Sequence, residues 1–117
     1  MVASPNYPGN YPNNVDEKET VKVERGKILR LVFTHFAIWV CGGVNTCHCD
    51  YVKIIDGSGA TLMDKSCGYS NTYPSSSVFF KPRTIVTQTS AVEIFFRTNA
   101  EDRRQGWNIA WAAVTPG

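Results

Sequence analysis

The clearest periodicity in the chain begins at Thr20, where Thr20-Val21-Lys22-Val23-Glu24 alternates apolar and polar residues with the period of a β-strand. Arg25-Gly26-Lys27 supplies a turn. Beyond it, Leu29, Leu31 and Phe33 alternate with Ile28, Arg30, Val32 and Thr34, a strand with at least one well-buried face. Tyr51 to Ile55 is a short β-branched run closed by Asp56-Gly57-Ser58-Gly59, and Ala60-Thr61-Leu62-Met63 reads as the returning strand. Val78-Phe79-Phe80 predicts a short strand ended by Pro82, and residues 84–89 and 91–97 predict two more around a turn at Ser90. A polar loop is expected over 98–106. The closing strand, Trp107 to Val114, puts Trp107, Ile109, Trp111 and Ala113 on one side, so core packing is expected for at least one tryptophan. Upstream, SPNYPGNYPNN over residues 4–14 reads as extended or turning chain because proline, glycine and asparagine dominate it. No segment holds a helical period for ten residues. Many short strands between turn signals predict an all-β, two-sheet sandwich or a barrel.

Composition narrows this picture. With 117 residues, of which 43% are hydrophobic and 12% aromatic, the chain can build one real core. One domain is therefore expected over 1–117, with its core between about 4 and 114. A net charge of +2 is too small to make nucleic acid or a membrane surface the main partner. No apolar run approaches membrane-spanning length. Met1-Val2-Ala3-Ser4 has neither the basic start nor the apolar core of a secretion leader.

The four cysteines, Cys41, Cys47, Cys49 and Cys67, favour two disulfides in an oxidising compartment, with three connectivities open. A zinc site from these thiols and His48 is the competing reading, but C-x5-C-x-C is not a usual ligand spacing. No N-x-S/T sequon occurs. His35, His48 and Asp50 invite a catalytic reading, yet no serine has a nucleophile-elbow context, and the chain is not expected to be an enzyme.

Several separated motifs together resemble one family. Ser4-Pro5-Asn6-Tyr7-Pro8 with Tyr11-Pro12 looks like the opening of CUB domains. Gly26 and the run Ile28 to Phe36 resemble the strand leading to the family's F-x-x-F step. Cys47-His48-Cys49-Asp50-Tyr51-Val52 is similar to its C-x-Y-D segment, Ile55-Asp56-Gly57 to its strand-ending turn, and Cys67-Gly68 to its next cysteine. Phe95-Phe96-Arg97-Thr98-Asn99 and Gly106-Trp107 resemble the closing strands. The resemblance implies a jelly-roll-like sandwich of two antiparallel sheets. It also implies a secreted or extracellular module that contributes recognition while catalysis sits in other domains.

The same resemblance carries site expectations. It implies a Cys47–Cys67 bridge and leaves Cys41 and Cys49, which are expected to pair with each other although other connectivities stay open. The family's N-terminal disulfide is absent, since no cysteine stands near Glu17 or before Ser4. Many CUB domains hold calcium with a glutamate, two aspartates and a supporting tyrosine. Here those positions fall on Trp39, Asp50, Asn99 and Tyr7, so two of three anionic ligands are missing. Calcium at a degenerate Asp50–Asn99 site is therefore expected to be weak or absent, Asp50 is read as a satisfied structural carboxyl, and no other cofactor is expected. Trp39 is read either as a contact residue or as a gap-filling aromatic. The leading expectation is a non-catalytic module that binds an extracellular protein through the Trp39, Asp50 and Asn99 end. The alternative is a stand-alone glycan-binding protein using Arg103 and Arg104, with Arg97, Lys81 and Arg83, as a modest basic patch. A homo-oligomer is compatible with either.

Overall fold

The computed structural model describes residues 2–39, 47, 49–69, 84–99 and 106–116. Nine strands fill most of that length: β1 (Val2–Ala3), β2 (Asp16–Lys22), β3 (Ile28–Ile38), β4 (Tyr51–Asp56), β5 (Thr61–Ser66), β6 (Gly68–Tyr69), β7 (Thr84–Val86), β8 (Ala91–Arg97) and β9 (Gly106–Val114). They form two antiparallel sheets. One runs β1-β9-β3, with β6 and β7 at opposite ends of the far edge of β3. The other runs β2-β8-β4-β5. No helix occurs among the described residues, so the all-β sandwich expected from the pattern is the architecture found.

The two inner faces supply the core. Leu29, Leu31, Phe33, Phe36 and Ile38 come from β3, Trp107 and Ile109 from β9, Val52 and Ile54 from β4, and Val92, Ile94 and Phe96 from β8. Aromatic edges meet aromatic faces within it: Phe96 lies T-shaped against Trp107 at 5.9 Å and against Tyr11 at 5.1 Å. The alternation in β3 changes phase part-way. Leu29, Leu31 and Phe33 point inward on odd numbers, whereas Phe36 and Ile38 do so on even ones. The cause is a bulge in the β3–β9 ladder between Phe33 and His35, where Thr34 is the extra residue. The Thr34 hydroxyl accepts a bond from the Asn108 side chain at 2.6 Å, which satisfies a polar group displaced by the bulge. This bulge explains the F-x-x-F spacing: it lets residues three apart, Phe33 and Phe36, both face the core.

Several strand bounds differ from the sequence reading, each for a local reason. The second strand begins at Asp16 and not Thr20, because the polar run Asp16 to Thr20 pairs residue by residue with β8 along the sheet edge. The third strand runs on to Ile38, carried past Thr34 by the bulge. The strand expected over 84–89 stops at Val86. There the Thr87 side chain takes over from the ladder, its Oγ1 accepting the Leu29 N–H at 2.8 Å. The two-residue strands β1 and β6 carry no periodic signal and are fixed only by pairing. The strand expected at Val78-Phe79-Phe80 lies outside the described residues.

Two turns need particular chemistry. Asp56 closes β4 with its carboxylate buried, accepting N–H bonds from Ser58 at 2.9 Å, Gln88 at 2.8 Å and Thr89 at 3.2 Å. It thereby ties the β4–β5 hairpin to the turn before β8. Gly106 opens β9 at φ 90°, and a Cβ there would run into the Ser4 hydroxyl. That close approach lets Ser4 pin the N-terminal segment, donating its N–H to the Trp107 carbonyl at 2.9 Å and accepting the Trp107 N–H at 3.0 Å.

Burial alone would raise the Asp56 pKa, but the Ser58 side chain and the backbone N–H groups of Ser58, Gln88 and Thr89 outweigh it and hold the carboxyl below its usual 3.8. A depressed folded-state pKa contributes stability that is fully present above the unfolded value and is lost as pH falls through the folded one. Asp56→Asn is therefore expected to destabilise the domain by about 1–3 kcal/mol near neutral pH. Urea unfolding across the acid range should show this difference shrinking below the ordinary aspartate pKa.

Candidate functional site

One end of the sandwich collects the residues singled out from sequence. Trp39 follows the last residue of β3, Asp50 precedes the first of β4, and Asn99 lies two beyond the end of β8. Because β4 and β8 are antiparallel, with Tyr51 opposite Arg97, the start of one lies beside the end of the other. The Asp50 carboxyl is fully buried at this junction. Its Oδ2 accepts the Tyr11 hydroxyl at 2.6 Å, and its Oδ1 accepts the Asn99 N–H at 2.9 Å. The Tyr11 oxygen in turn accepts the Trp39 N–H at 3.1 Å. A buried relay thus runs from the end of β3 through Tyr11 and Asp50 to the end of β8.

The tyrosine of this corner is Tyr11, where the sequence reading assigned Tyr7. Tyr7 instead packs its ring against His35 at 5.5 Å, on the β3–β9 side. The two Tyr-Pro steps look alike in sequence, and anchoring separates them. Ser4 pins the first stretch to β9, whereas the Pro12 carbonyl accepts the Thr98 hydroxyl at 2.9 Å and docks the second at the end of β8. The same strap continues as Val15 and Thr98 exchange bonds and Asn14 donates to the Asn99 carbonyl. Tyr11 itself is fully buried, so it is as much core as site. His35 Nε2 and Trp107 Nε1 are buried without hydrogen-bond partners among the described residues.

The cysteines brace this end. Cys47 is bonded to Cys67 across 20 residues, as the resemblance implied, and a loop of that size is worth about 3 kcal/mol in the chain-entropy account. Cys49 is also disulfide-bonded. Cys41, its expected partner, lies outside the described residues, as do His48, Lys81, Arg83, Arg103 and Arg104.

Sequence reasoning missed the outer face of the β2-β8-β4-β5 sheet. Lys53 sits over the Phe95 ring at 5.3 Å and Lys65 over the Tyr51 ring at 5.0 Å. Arg97 is exposed next to Tyr51 in the ladder, and Lys18 pairs with Glu93 at 3.0 Å. The signal was present in the alternation of β4 and β8, whose outward positions are Tyr51, Lys53, Phe95 and Arg97.

The family model for the CUB domain matches residues 1–111. The chain belongs to the CUB domain family. It is 28% identical over 113 residues to mannan-binding lectin serine protease 1 of Mus musculus, covering 97% of this chain and 14% of that protein. The CUB1-EGF-CUB2 segment of human MASP-1/3 superposes with a TM-score of 0.80 at 26% identity, over 98% of this chain and 41% of that one. A crystal structure of the MASP-1 CUB2 domain bound to Ca2+ superposes with a TM-score of 0.72 at 29% identity, over 94% and 88% of the two chains. The chain thus spans a small part of the protease it matches, and the part it spans is a non-catalytic module.

A calcium ion in that neighbour raises the question of whether this corner fits one. Asp50 Oδ2 accepts the Tyr11 hydroxyl and Oδ1 accepts the Asn99 N–H, so each carboxyl oxygen has one of its lone pairs engaged by the chain itself. Among the described residues no group of three or more His, Cys, Asp and Glu side chains is placed to hold a metal.

The corner's wiring predicts a contrast between its two tyrosines. Tyr11→Phe removes the hydroxyl that donates to the buried Asp50 carboxyl and accepts the Trp39 N–H, and is expected to lower stability by about 1–3 kcal/mol. Tyr7→Phe should stay within about 0.5 kcal/mol, measured by chemical denaturation of both variants.

Proposed function

We propose that this CUB domain is an extracellular interaction module that binds a protein partner through the Trp39–Asp50–Asn99 end, with little or no dependence on calcium. The observation that carries this reading is the pair of bonds by which the buried Asp50 carboxyl ties Tyr11 to Asn99. In this corner the carboxyl fastens chain segments together, a task that an ion performs where acidic ligands converge. Trp39, half-buried at the strand end, then becomes the chief anchor, since tryptophan is enriched among residues that dominate binding energy. The Asn99 and Thr98 strap, together with the Cys47–Cys67 bridge, gives that end a preformed shape, which limits the ordering cost of association.

A second reading, glycan binding, draws on the sheet face that carries Lys53, Lys65, Lys18 and Arg97 around Tyr51 and Phe95. Sulfate groups would meet the cations while sugar rings lie on the aromatics. The low net charge weighs against it as the main role.

Calorimetry with calcium should give no binding isotherm in the submillimolar range, whereas tight binding would overturn the calcium-independent reading. Capture of an extracellular partner on immobilised domain should persist in EDTA. Trp39→Ala should weaken it by about 30-fold, equivalent to the roughly 2 kcal/mol of a hot-spot residue. Retention on heparin that Lys53→Ala and Lys65→Ala abolish, with no protein partner captured, would move the assignment to the glycan reading.

A further inference from the structure

The outer face of the β2-β8-β4-β5 sheet carries a block of four residues in a regular pattern. Tyr51 stands opposite Arg97 in the β4–β8 ladder, and Lys53 stands opposite Phe95. The two aromatics therefore lie on one diagonal and the two cations on the other. Arg97 is exposed, and Tyr51, Lys53 and Phe95 are half-buried. Lys65, exposed on β5, reaches over the Tyr51 ring at 5.0 Å and adds a third cation, while Lys53 reaches over the Phe95 ring at 5.3 Å. Both lysine stems lie along aromatic surface, so their ammonium groups are held in place instead of sweeping through solvent.

The surrounding anions set the limits of the block. Glu93 is taken up by Lys18 at 3.0 Å. Asp16 stands opposite Arg97 on the β2 side, and Asp64 precedes Lys65 and accepts its backbone N–H. Among the described residues no ion pair joins Lys53, Lys65 or Arg97 to a carboxylate. Three cations thus face outward with their charge unmatched. The face lies on the layer away from the first and last strands, since β1 and β9 belong to the other sheet. It is continuous with the Trp39–Asp50–Asn99 end: Tyr51 follows Asp50 directly, and Arg97 stands two residues before Asn99.

We propose that this block receives an acidic, extended segment of the partner protein, with alternate carboxylates on Lys53 and Arg97. The proposal rests on the reading of the domain as a protein-binding module, and adds to it a second contact surface and the chemistry of its occupant. Spacing supports it. Diagonal positions in a sheet are about 7–8 Å apart. Residues i and i+2 of an extended chain, which share a face, are separated by roughly 7 Å. An acid-x-acid run therefore matches the cation diagonal, and Lys65 stands beside it for a third carboxylate. Cations already held in position lose little freedom on meeting their partners. A sulfated glycan fits less well on two counts. The ammonium groups occupy ring faces on which a sugar would stack. Asp16, Asp64 and Glu93 also border the block, so a long uniform polyanion meets carboxylates where it runs past the cations.

Backbone amide NMR on the intact domain reads this face directly. At low salt, a six-residue peptide alternating glutamate with serine should shift the amides of Tyr51, Lys53, Phe95 and Arg97. The same peptide with glutamine in place of glutamate should not. The response should fade as salt rises past physiological strength. Lys53→Glu with Lys65→Glu should weaken peptide binding about tenfold, the combined worth of two exposed charge pairs. Lys53→Arg with Lys65→Arg should retain it. Both side chains project from the outer face, so the melting transition should be kept in each double variant. Trp39→Ala should leave the peptide response unchanged, because the Trp39 end is read by partner capture; failure of one surface is thereby distinguished from failure of the other. Absence of shifts on β4 and β8 at millimolar peptide, or shifts that survive Lys53→Glu with Lys65→Glu, overturns the proposal. A heparin hexasaccharide that shifts the same amides where the glutamate peptide does not overturns it in favour of the glycan.

Discussion

The bulge at Thr34 is the constraint on which the rest of the domain depends. A strand of eleven residues with strict alternation would bury Leu29, Leu31 and Phe33 and then bring His35 and Ala37 inward. The extra residue shifts the phase, so Phe36 and Ile38 enter the core instead. β3 can then serve as the spine of its sheet along its whole length, with β9 on one side and β6 and β7 on the other. It also delivers the Trp39 N–H to the Tyr11 hydroxyl at the far end. Without the shift, the corner that Tyr11 and Asp50 build would have no third member.

That corner shows one carboxyl doing mechanical work. Asp50 lies among elements that are distant in sequence: the segment after Ser4, the end of β3 and the end of β8. A buried carboxyl must be matched by donors, and the donors nearest to hand are those of the chain itself. Here a tyrosine hydroxyl and a backbone N–H meet the two oxygens of one carboxyl and join the segments that carry them.

The fold was legible because its strands obey simple alternation, and β4, β8 and β9 were read nearly to their ends. Legibility failed where pairing outvotes composition. Asp16 to Thr20 has little strand propensity, yet it forms an edge strand because Arg97 to Glu93 lies alongside it. β1 and β6, two residues each, have too few positions to show a period. At the site, the convergence of Trp39, Asp50 and Asn99 came from motif order, and the structure brings them together. The choice between Tyr7 and Tyr11 did not follow from the same reasoning. Both precede proline in an irregular segment, and only the Thr98–Pro12 and Ser4–Trp107 bonds, formed over more than eighty residues of separation, decide which ring turns inward.

Trp111 stands between core and surface. Periodicity assigned Trp107, Ile109 and Trp111 to one face, and the ladder agrees: all lie opposite inward-facing residues of β3. Their fates differ because β1 covers β9 only as far as Ile109. Trp107 and Ile109 have a neighbouring segment on each side, while among the described residues Trp111 is paired on the β3 side alone and is 37% exposed. One alternating pattern thus yields a sealed tryptophan and a partly exposed one, and what separates them is the neighbour each position has along the described sheet.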